Sequence, residues 1–566
     1  MSSTLSKEPF SSPTEPSLAY AVAKSPLDSK QLEEGDGAIR HGGLPNIYSF
    51  RHIGLLAQYA ALGVIHGTLM NSVYAFLFNY CRMSGVQVAS ARALLQVIWT
   101  LKFFVGILSD CFPIFGYHRR PYMVIGWLIV FVSLLTMAVV PFHEPYYPDS
   151  AWVKFKKFTT EQMEQLNPDA SDDGVKYLVL MVVANLGMLT AMTASDGVLV
   201  DFAQREPEQV RGTAQTMTNV VKFIFAIISA CLTGFGMNGP EYGGSFSGSM
   251  GFNVIMGVCS VFALLVIPFS WFCIQEEKVV QAKTTFTGNM KSVYELLQLR
   301  VVYQIVAFRF LRNLFSVFNT TASSPVQSLW AGVEPLNDAI ASVLTYIMAS
   351  SGMYFMKRYG LNWNWRVVIA TTQILVVAID AVPTMLTIWD VVRTQWFWLG
   401  VPLIEELPYY AGAVVTSFAI IEIVDEGNES TVYGLISTVS NLASPFATVI
   451  YKNIDSNFKV TSADLVKDTH AVRADVTYTY LIAYAFNLFS IVFVFLLPRQ
   501  KAETQELKRT GGRSRAMGIF TITYLVFAFG WTIMTNSMSF SSKTSCYRIA
   551  GGSGCKKATA TKAGGK

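Results

Sequence analysis

The sequence predicts an all-α polytopic membrane protein built from two six-helix halves, with one further helix near the C-terminus. Three observations carry that expectation. Hydrophobic residues make up 52% of the 566 residues and charged ones only 14%, with a mean hydropathy of +0.38. A chain so apolar needs lipid over much of its surface. Apolar runs of about 20 residues, the length that crosses a bilayer core, recur along the chain. Two of those runs open with matching polar segments, the mark of an internal duplication.

Residues 1–52 are polar, mixed in charge and rich in Ser and Pro, without the apolar core of a signal peptide. They are expected to form a disordered cytosolic tail. The N-terminal half, 53–273, holds runs near 55–78, 93–110, 122–141, 175–200, 213–236 and 251–273. A polar stretch, 274–300, reads as a cytosolic linker. The C-terminal half, 301–498, holds runs near 301–322, 337–356, 366–388, 396–422, 431–451 and 477–497. A basic loop, 499–515, leads to the extra run, 516–536, read as a transmembrane helix, and then to a disordered tail, 537–566. Lys and Arg gather at alternate run ends, at Arg119-Arg120, Arg205, Arg211, Lys357-Arg358, Arg366 and along 499–515. That asymmetry puts the N-terminus in the cytosol, with the plasma membrane favoured over an organelle.

Several function classes drop out. The net charge of +5 is scattered through loops and tails, so nucleic acid is not an expected partner. No Cys or His set has zinc spacing, and Cys546 with Cys555 is the one pairing considered. No GxxxxGK[ST], HExxH or GxSxG occurs. Neither a nucleotide-driven pump nor an enzyme is expected, and no cofactor or metal is implied.

Between the second and third runs stands "GILSDCFPIFGYHRRPYMVIGW", Gly106 to Trp127. Gly106 permits close helix approach, Asp110 ends the second run, and Arg119 and Arg120 follow a turn. The order Gly, Asp, turn, Arg resembles the major facilitator signature. The fuller stretch, preceded by Lys102, resembles the folate–biopterin transporter family in its Gly-x-x-Ser-Asp, Pro-Ile, Gly-Tyr and basic run before Pro-Tyr. Phe103 stands where that family carries Pro. The resemblance covers about 50–500. It implies a major facilitator type 6+6 helix bundle, here 12 core helices plus the extra C-terminal helix. It also implies secondary transport of folates or pterins by alternating access, with S-adenosylmethionine as an alternative solute; a membrane receptor that no longer transports is the competing class.

The duplication is visible in "REPEQVRGTAQTMTN" and "DEGNESTVYGLISTVSN". Gly212, Thr216, Thr218 and Asn219 match Gly434, Thr438, Ser440 and Asn441 at one constant offset; Asp201 matches Glu422 and Glu208 matches Glu429 at an offset one shorter. "GMYFMKRYGLNWNWR" echoes the signature loop. A cytoplasmic latch is expected, with Gly106 at the crossing and Asp110 and Arg119 or Arg120 paired with Asp201. In the second half Lys357 or Arg358 is expected to pair with Glu422.

An ionisable group at membrane depth costs at least about 2.5–3.5 kcal/mol and must face protein or a wet cavity. Lys102, Lys222, Arg309 and Arg312 supply cations there; Asp196, Asp380, Glu405 and Glu406 supply acids. Converging on one chamber, they would bind the carboxylates and the N–H edge of a flat solute. Since Glu405 and Glu406 are adjacent, at most one is expected to point inward. Tyr74, Trp99, Phe103, Tyr303, Trp396, Tyr409 and Tyr410 are candidates to stack on a ring. Asp196 and Glu405 or Glu406, and also His66, are the candidates to carry a coupled proton. The alternative is that these charges only neutralise one another between helices.

Overall fold

The computed structural model describes residues 37–83, 85–141, 144–148, 152, 159–167, 169–278, 286–540, 544 and 547–550. Thirteen longer helices among the described residues follow in chain order, with short helices left unnumbered. The N-terminal half holds α1 (Ile53–Ser72, extended by π-helical turns to Tyr80), α2 (Gly85–Val97, a 3₁₀ turn Ile98–Leu101, then Lys102–Cys111) and α3 (Arg120–Val139). It is completed by α4 (Ala170–Gln204), α5 (Thr213–Gly236) and α6 (Phe252–Phe272). The C-terminal half holds α7 (Arg300–Ser316), α8 (Pro335–Phe355), α9 (Trp365–Ile388), α10 (Glu406–Ile423), α11 (Glu429–Asp455) and α12 (His470–Phe489). The extra helix is α13 (Arg515–Phe540).

Ten of the described helices are long and apolar enough to cross a membrane; α7, α10 and α11 fall outside that set. The reason is local. The 17 residues of α7 include Arg300, Arg309 and Arg312, and the middle of α11 carries Ser437, Thr438, Ser440, Asn441 and Ser444. Polar faces of this kind belong against protein or water rather than lipid. The run expected at 301–322 ends as helix at Ser316, and the one expected at 396–422 is broken before α10 by a 3₁₀ turn, Pro402–Ile404. Proline there removes a backbone donor and ends regular pairing.

Each half has its own apolar core. They meet along two crossings, α5 with α8 and α2 with α11. The second crossing is tight: a Cβ at Gly434 would lie 2.8 Å from the Lys102 carbonyl oxygen, and one at Gly106 would meet the Ser430 carbonyl. The 3₁₀ turn in α2 frees backbone groups that Thr438 satisfies. Its hydroxyl accepts from the Phe103 N–H at 3.3 Å and donates to the Thr100 carbonyl at 3.1 Å. Thus the duplicated Gly and Thr of the second half build the seam. Helix α13 covers that seam from outside, with Phe529 against Phe104 of α2 (5.5 Å between ring centres) and Trp531 stacked on Phe446 of α11 (5.3 Å).

Three segments outside the predicted spans carry ordered structure. Residues 37–50, expected within a disordered tail, lie across helix ends; residues 1–36 fall outside the described set. The linker contains a helix, Phe286–Leu297. The basic loop contains another, Lys501–Thr510, with Glu503 in its first turn and Lys508 and Arg509 in its last, the order the helix dipole favours. The considered Cys546–Cys555 pairing lies outside the described residues.

Candidate functional site: a locked face and two cavities

The signature loop turns tightly because Phe115 and Gly116 take positive φ (54° and 81°) and Ile114 pairs with Tyr117. Glu276 then accepts the backbone N–H groups of His118 (2.6 Å), Arg119 (2.9 Å) and Arg120 (3.1 Å), capping α3. The Arg119 side chain is thereby aimed inward. One guanidinium nitrogen meets Asp110 and the Ser109 hydroxyl; the other donates to Glu429 at 2.8 Å. The second oxygen of Asp110 accepts the Thr431 N–H at 2.7 Å, at the N-terminus of α11, where a carboxylate is favoured. Two halves are held by one buried cluster.

Arg40 joins it. Its guanidinium pairs with Asp201 and, at 2.6 Å, with Glu429, while the N–H groups of Ile39 and Arg40 donate to the Gln204 carbonyl. Beside it Arg211 grips both Glu422 oxygens at 2.9 Å, and Gln505 donates to Glu422 at 2.7 Å. Lys501 donates to the Glu208 carbonyl at 2.7 Å. Glu206, in the loop before α5, accepts the N–H groups of Gly212, Thr213 and Ala214 (2.8, 3.0 and 2.8 Å). Burial nevertheless pushes the Glu206 carboxyl up to about 7.

The expected latch pairs are therefore corrected. Asp201 meets Arg40 and Arg205, not Arg119 or Arg120, because Arg119 is drawn to Asp110 and Glu429. Arg120 instead donates to the Ile274 carbonyl and lies over Tyr117. Glu422 meets Arg211 rather than Lys357 or Arg358. The π-helical turn ending α8 lays those two cations over Tyr354 and Tyr359. Sequence reasoning missed Arg40, Glu276 and the part played by Glu429, whose match to Glu208 was the only signal pointing to it.

Away from this face the bundle is hollow. Two adjoining cavities of about 1280 and 840 Å³ share Lys222, Asn313, Ser440 and Asn441. Their walls run from mid-helix residues such as Lys222 and Arg309 to Lys452 and Asn536, close to the helix ends opposite the ion pairs. The smaller cavity gathers Lys222, Arg309, Arg312, Asp380, Glu405 and Tyr409. Arg309 donates to the Thr416 hydroxyl at 2.8 Å, and Asp380 accepts from the Tyr484 hydroxyl at 2.6 Å. Among the described residues, none of Lys222, Arg309, Arg312 or Glu405 makes an ion pair. The Nε atoms of both arginines and one Glu405 oxygen are buried without a hydrogen-bond partner.

The expected binding set is thus divided. Lys102 and Asp196 pair with each other, Asp196 also accepting from the Tyr59 hydroxyl at 2.6 Å, and neither lines either of these two cavities. Glu406 does not line one either, leaving Glu405 as the inward member of the pair. Of the aromatic candidates, Tyr409 and Trp99 face the cavities, with His66 edge-on to Trp99 at 5.3 Å. Tyr410 packs on Phe223, Tyr74 stacks on Phe78, Phe103 meets Phe104 edge-on, and Trp396 is exposed. Tyr303 lines neither cavity. No group of His, Cys, Asp and Glu among the described residues could hold a metal ion.

A family model described as the BT1 family matches residues 62–155, the stretch that includes the signature loop. The folate-biopterin transporter of Synechocystis sp. is 21% identical over 71% of this chain and 74% of its own length. Folate transporter 1 of Plasmodium falciparum is 20% identical over 76% of each chain. A probable folate-biopterin transporter 2 of Arabidopsis thaliana is 43% identical over a short stretch, 8% of this chain and 9% of its own. Among solved structures, the proton:xylose symporter XylE bound to 6-bromo-6-deoxy-D-glucose superposes with TM-score 0.53 at 13% identity. It covers 82% of this chain and 98% of its own, which shows a shared fold. With the loop signature, these similarities make the chain a membrane transporter rather than an enzyme, similar to the folate–biopterin transporters and built on the major facilitator fold.

Proposed function

We propose that this transporter carries a folate or pterin-type solute by alternating access, coupled to protons. The observation that carries the reading is the set of unpaired charges, Lys222, Arg309, Arg312 and Glu405, on one cavity between the halves. Charges held without partners at membrane depth are costly, and a bound solute would supply their counter-charges. Forked guanidinium groups suit carboxylates. Asp380 and Glu405 suit the N–H edge of a pterin ring, and Tyr409 its face. The names of the folate-transporting relatives favour the same solute class.

Alternating access accounts for the asymmetry of the bundle. In the described state the signature-loop face is closed by Arg119, Asp110, Glu429, Arg40 and Asp201, and the cavities extend toward the other face. Opening the closed face must part α2 from α11, which breaks the Arg119–Glu429 and Asp110–Thr431 contacts and leaves each half with its own charges. The Lys and Arg distribution assigns that face to the cytosol. Glu405 is the preferred proton carrier, because it faces the cavity without an ion pair while Asp196 is held by Lys102.

Uptake into liposomes reconstituted with the full chain tests the reading. Folate or biopterin should accumulate faster when the source compartment is acidic, Arg309→Ala should cut uptake at least about tenfold, and Glu405→Gln should remove the response to pH. Uptake indifferent to an imposed pH gradient would remove proton coupling. Binding of S-adenosylmethionine in place of folate would assign Asp380 and Glu405 to a cationic solute. Binding with no movement across the membrane would favour a receptor.

A further inference from the structure

The two cavities differ in charge. The smaller has acids and cations facing each other: Asp380 and Glu405 with Lys222, Arg309 and Arg312. Among the described residues, Arg92, Lys222 and Lys452 line the larger, and no Asp or Glu does. None of these three cations makes an ion pair with a described residue. Asp338 acts on Arg92 electrostatically from outside the lining, and its carboxylate is already engaged by Gln327 at 3.0 Å. Asp196 likewise acts on Lys222 from outside the lining. The described lining of the larger cavity is thus net positive, and a cleft lined by one sign of charge concentrates anions.

Its wall is also unusual in origin. Thr532, Thr535 and Asn536 belong to α13, outside the twelve-helix core, and α13 spans the seam between α2 and α11. On the same cavity the Trp99 indole N–H and the Thr532 hydroxyl are buried without partners. Buried donors of that kind call for an acceptor.

We infer that the larger cavity is a subsite for the carboxylate-bearing tail of the solute, completed by α13, while the smaller cavity takes the ring. The inference rests on the carrier reading above and narrows it to solutes with two chemically distinct ends, a planar hydrogen-bonding head and an anionic tail. With about 1280 Å³ against about 840 Å³, the tail subsite has room for more than one carboxylated unit. A pterin without such a tail would leave it unfilled.

Two measurements on the full chain test this. The first needs no knowledge of the solute: Asn536→Cys is labelled with an anionic sulfonatoethyl methanethiosulfonate and with its cationic trimethylammonium counterpart. Each rate is corrected for reaction with a free thiol and for labelling of the unsubstituted protein. The anionic reagent should be favoured about tenfold, and Arg92→Gln with Lys452→Gln should erase the preference. Equal or reversed preference overturns the subsite. The second compares affinities of folate and biopterin. The Arg92→Gln/Lys452→Gln variant should weaken folate about tenfold and leave biopterin unchanged; equal loss for both, or for neither, overturns it. Should the unsubstituted protein bind neither compound, the folate–pterin reading fails on its own, and the labelling ratio still decides the charge of the subsite.

Discussion

The two faces of this bundle use the same residue types in opposite ways. At the signature-loop face Arg119, Arg211 and Arg40 each meet one or two carboxylates, and Asp110 also caps α11. At the cavities Arg309, Arg312 and Lys222 meet no carboxylate among the described residues. Paired charges inside a low-dielectric wall set which helices stay together; unpaired ones set what can enter. The difference separates residues that hold a conformation from residues that await a solute, and mutation should separate them too.

The largest effect should come from the paired face. Arg119→Ala leaves Asp110 and Glu429 buried without their shared cation, a loss of about 3–5 kcal/mol, and should read as low expression or a strongly lowered Tm in detergent. Arg309→Ala should do the reverse: transport falls at least about tenfold while Tm holds, since the removed charge had no ionic partner. A variant of Arg309 as unstable as that of Arg119 would erase the distinction. Arg40→Ala should be milder, about 1 kcal/mol, because Asp201 keeps Arg205 and Glu429 keeps Arg119. Its readout is faster hydrogen exchange at the N-terminus of α11, where a closed face that loosens would show first.

A further effect is a pH dependence at the edge of the locked face. The carboxyl of Glu206 is raised from 4.5 to about 7 by burial. A carboxyl raised in the folded state favours folding in its protonated form, so this contribution is full below pH 4.5 and is lost as pH rises to about 7. Tm should decline across that window, and Glu206→Gln should flatten the decline by a few degrees on the order expected for small stability changes. Equal slopes for both proteins would place the burial cost elsewhere.

Much of this was legible in the sequence. Each of the thirteen apolar runs overlaps one of the numbered helices, and the order Gly106, Asp110, Arg119 marked both the family resemblance and one end of the lock. The cations at membrane depth were visible by their cost alone. What stayed hidden was long-range. Arg40 lies in a polar segment with no periodicity, so nothing local tied it to Asp201 or Glu429. The pairing of Arg211 with Glu422 joins the two halves, and the duplication instead suggested partners within one half. Lys102 and Arg309 looked alike in the chain, yet one is neutralised by Asp196 and the other is not. Only the packing of α2 on α4 distinguishes them. The break in α2 needed no proline, because Thr438 from the other half supplies both a donor and an acceptor.

The most direct measurement takes affinity and Tm on the same purified samples: folate titrated into the unsubstituted chain and into the Arg309→Ala/Arg312→Ala variant. Saturable binding that weakens by at least about tenfold at an unchanged Tm is the result expected if these unpaired cations await a carboxylate. Undiminished binding by a variant that folds as well as its parent would contradict it.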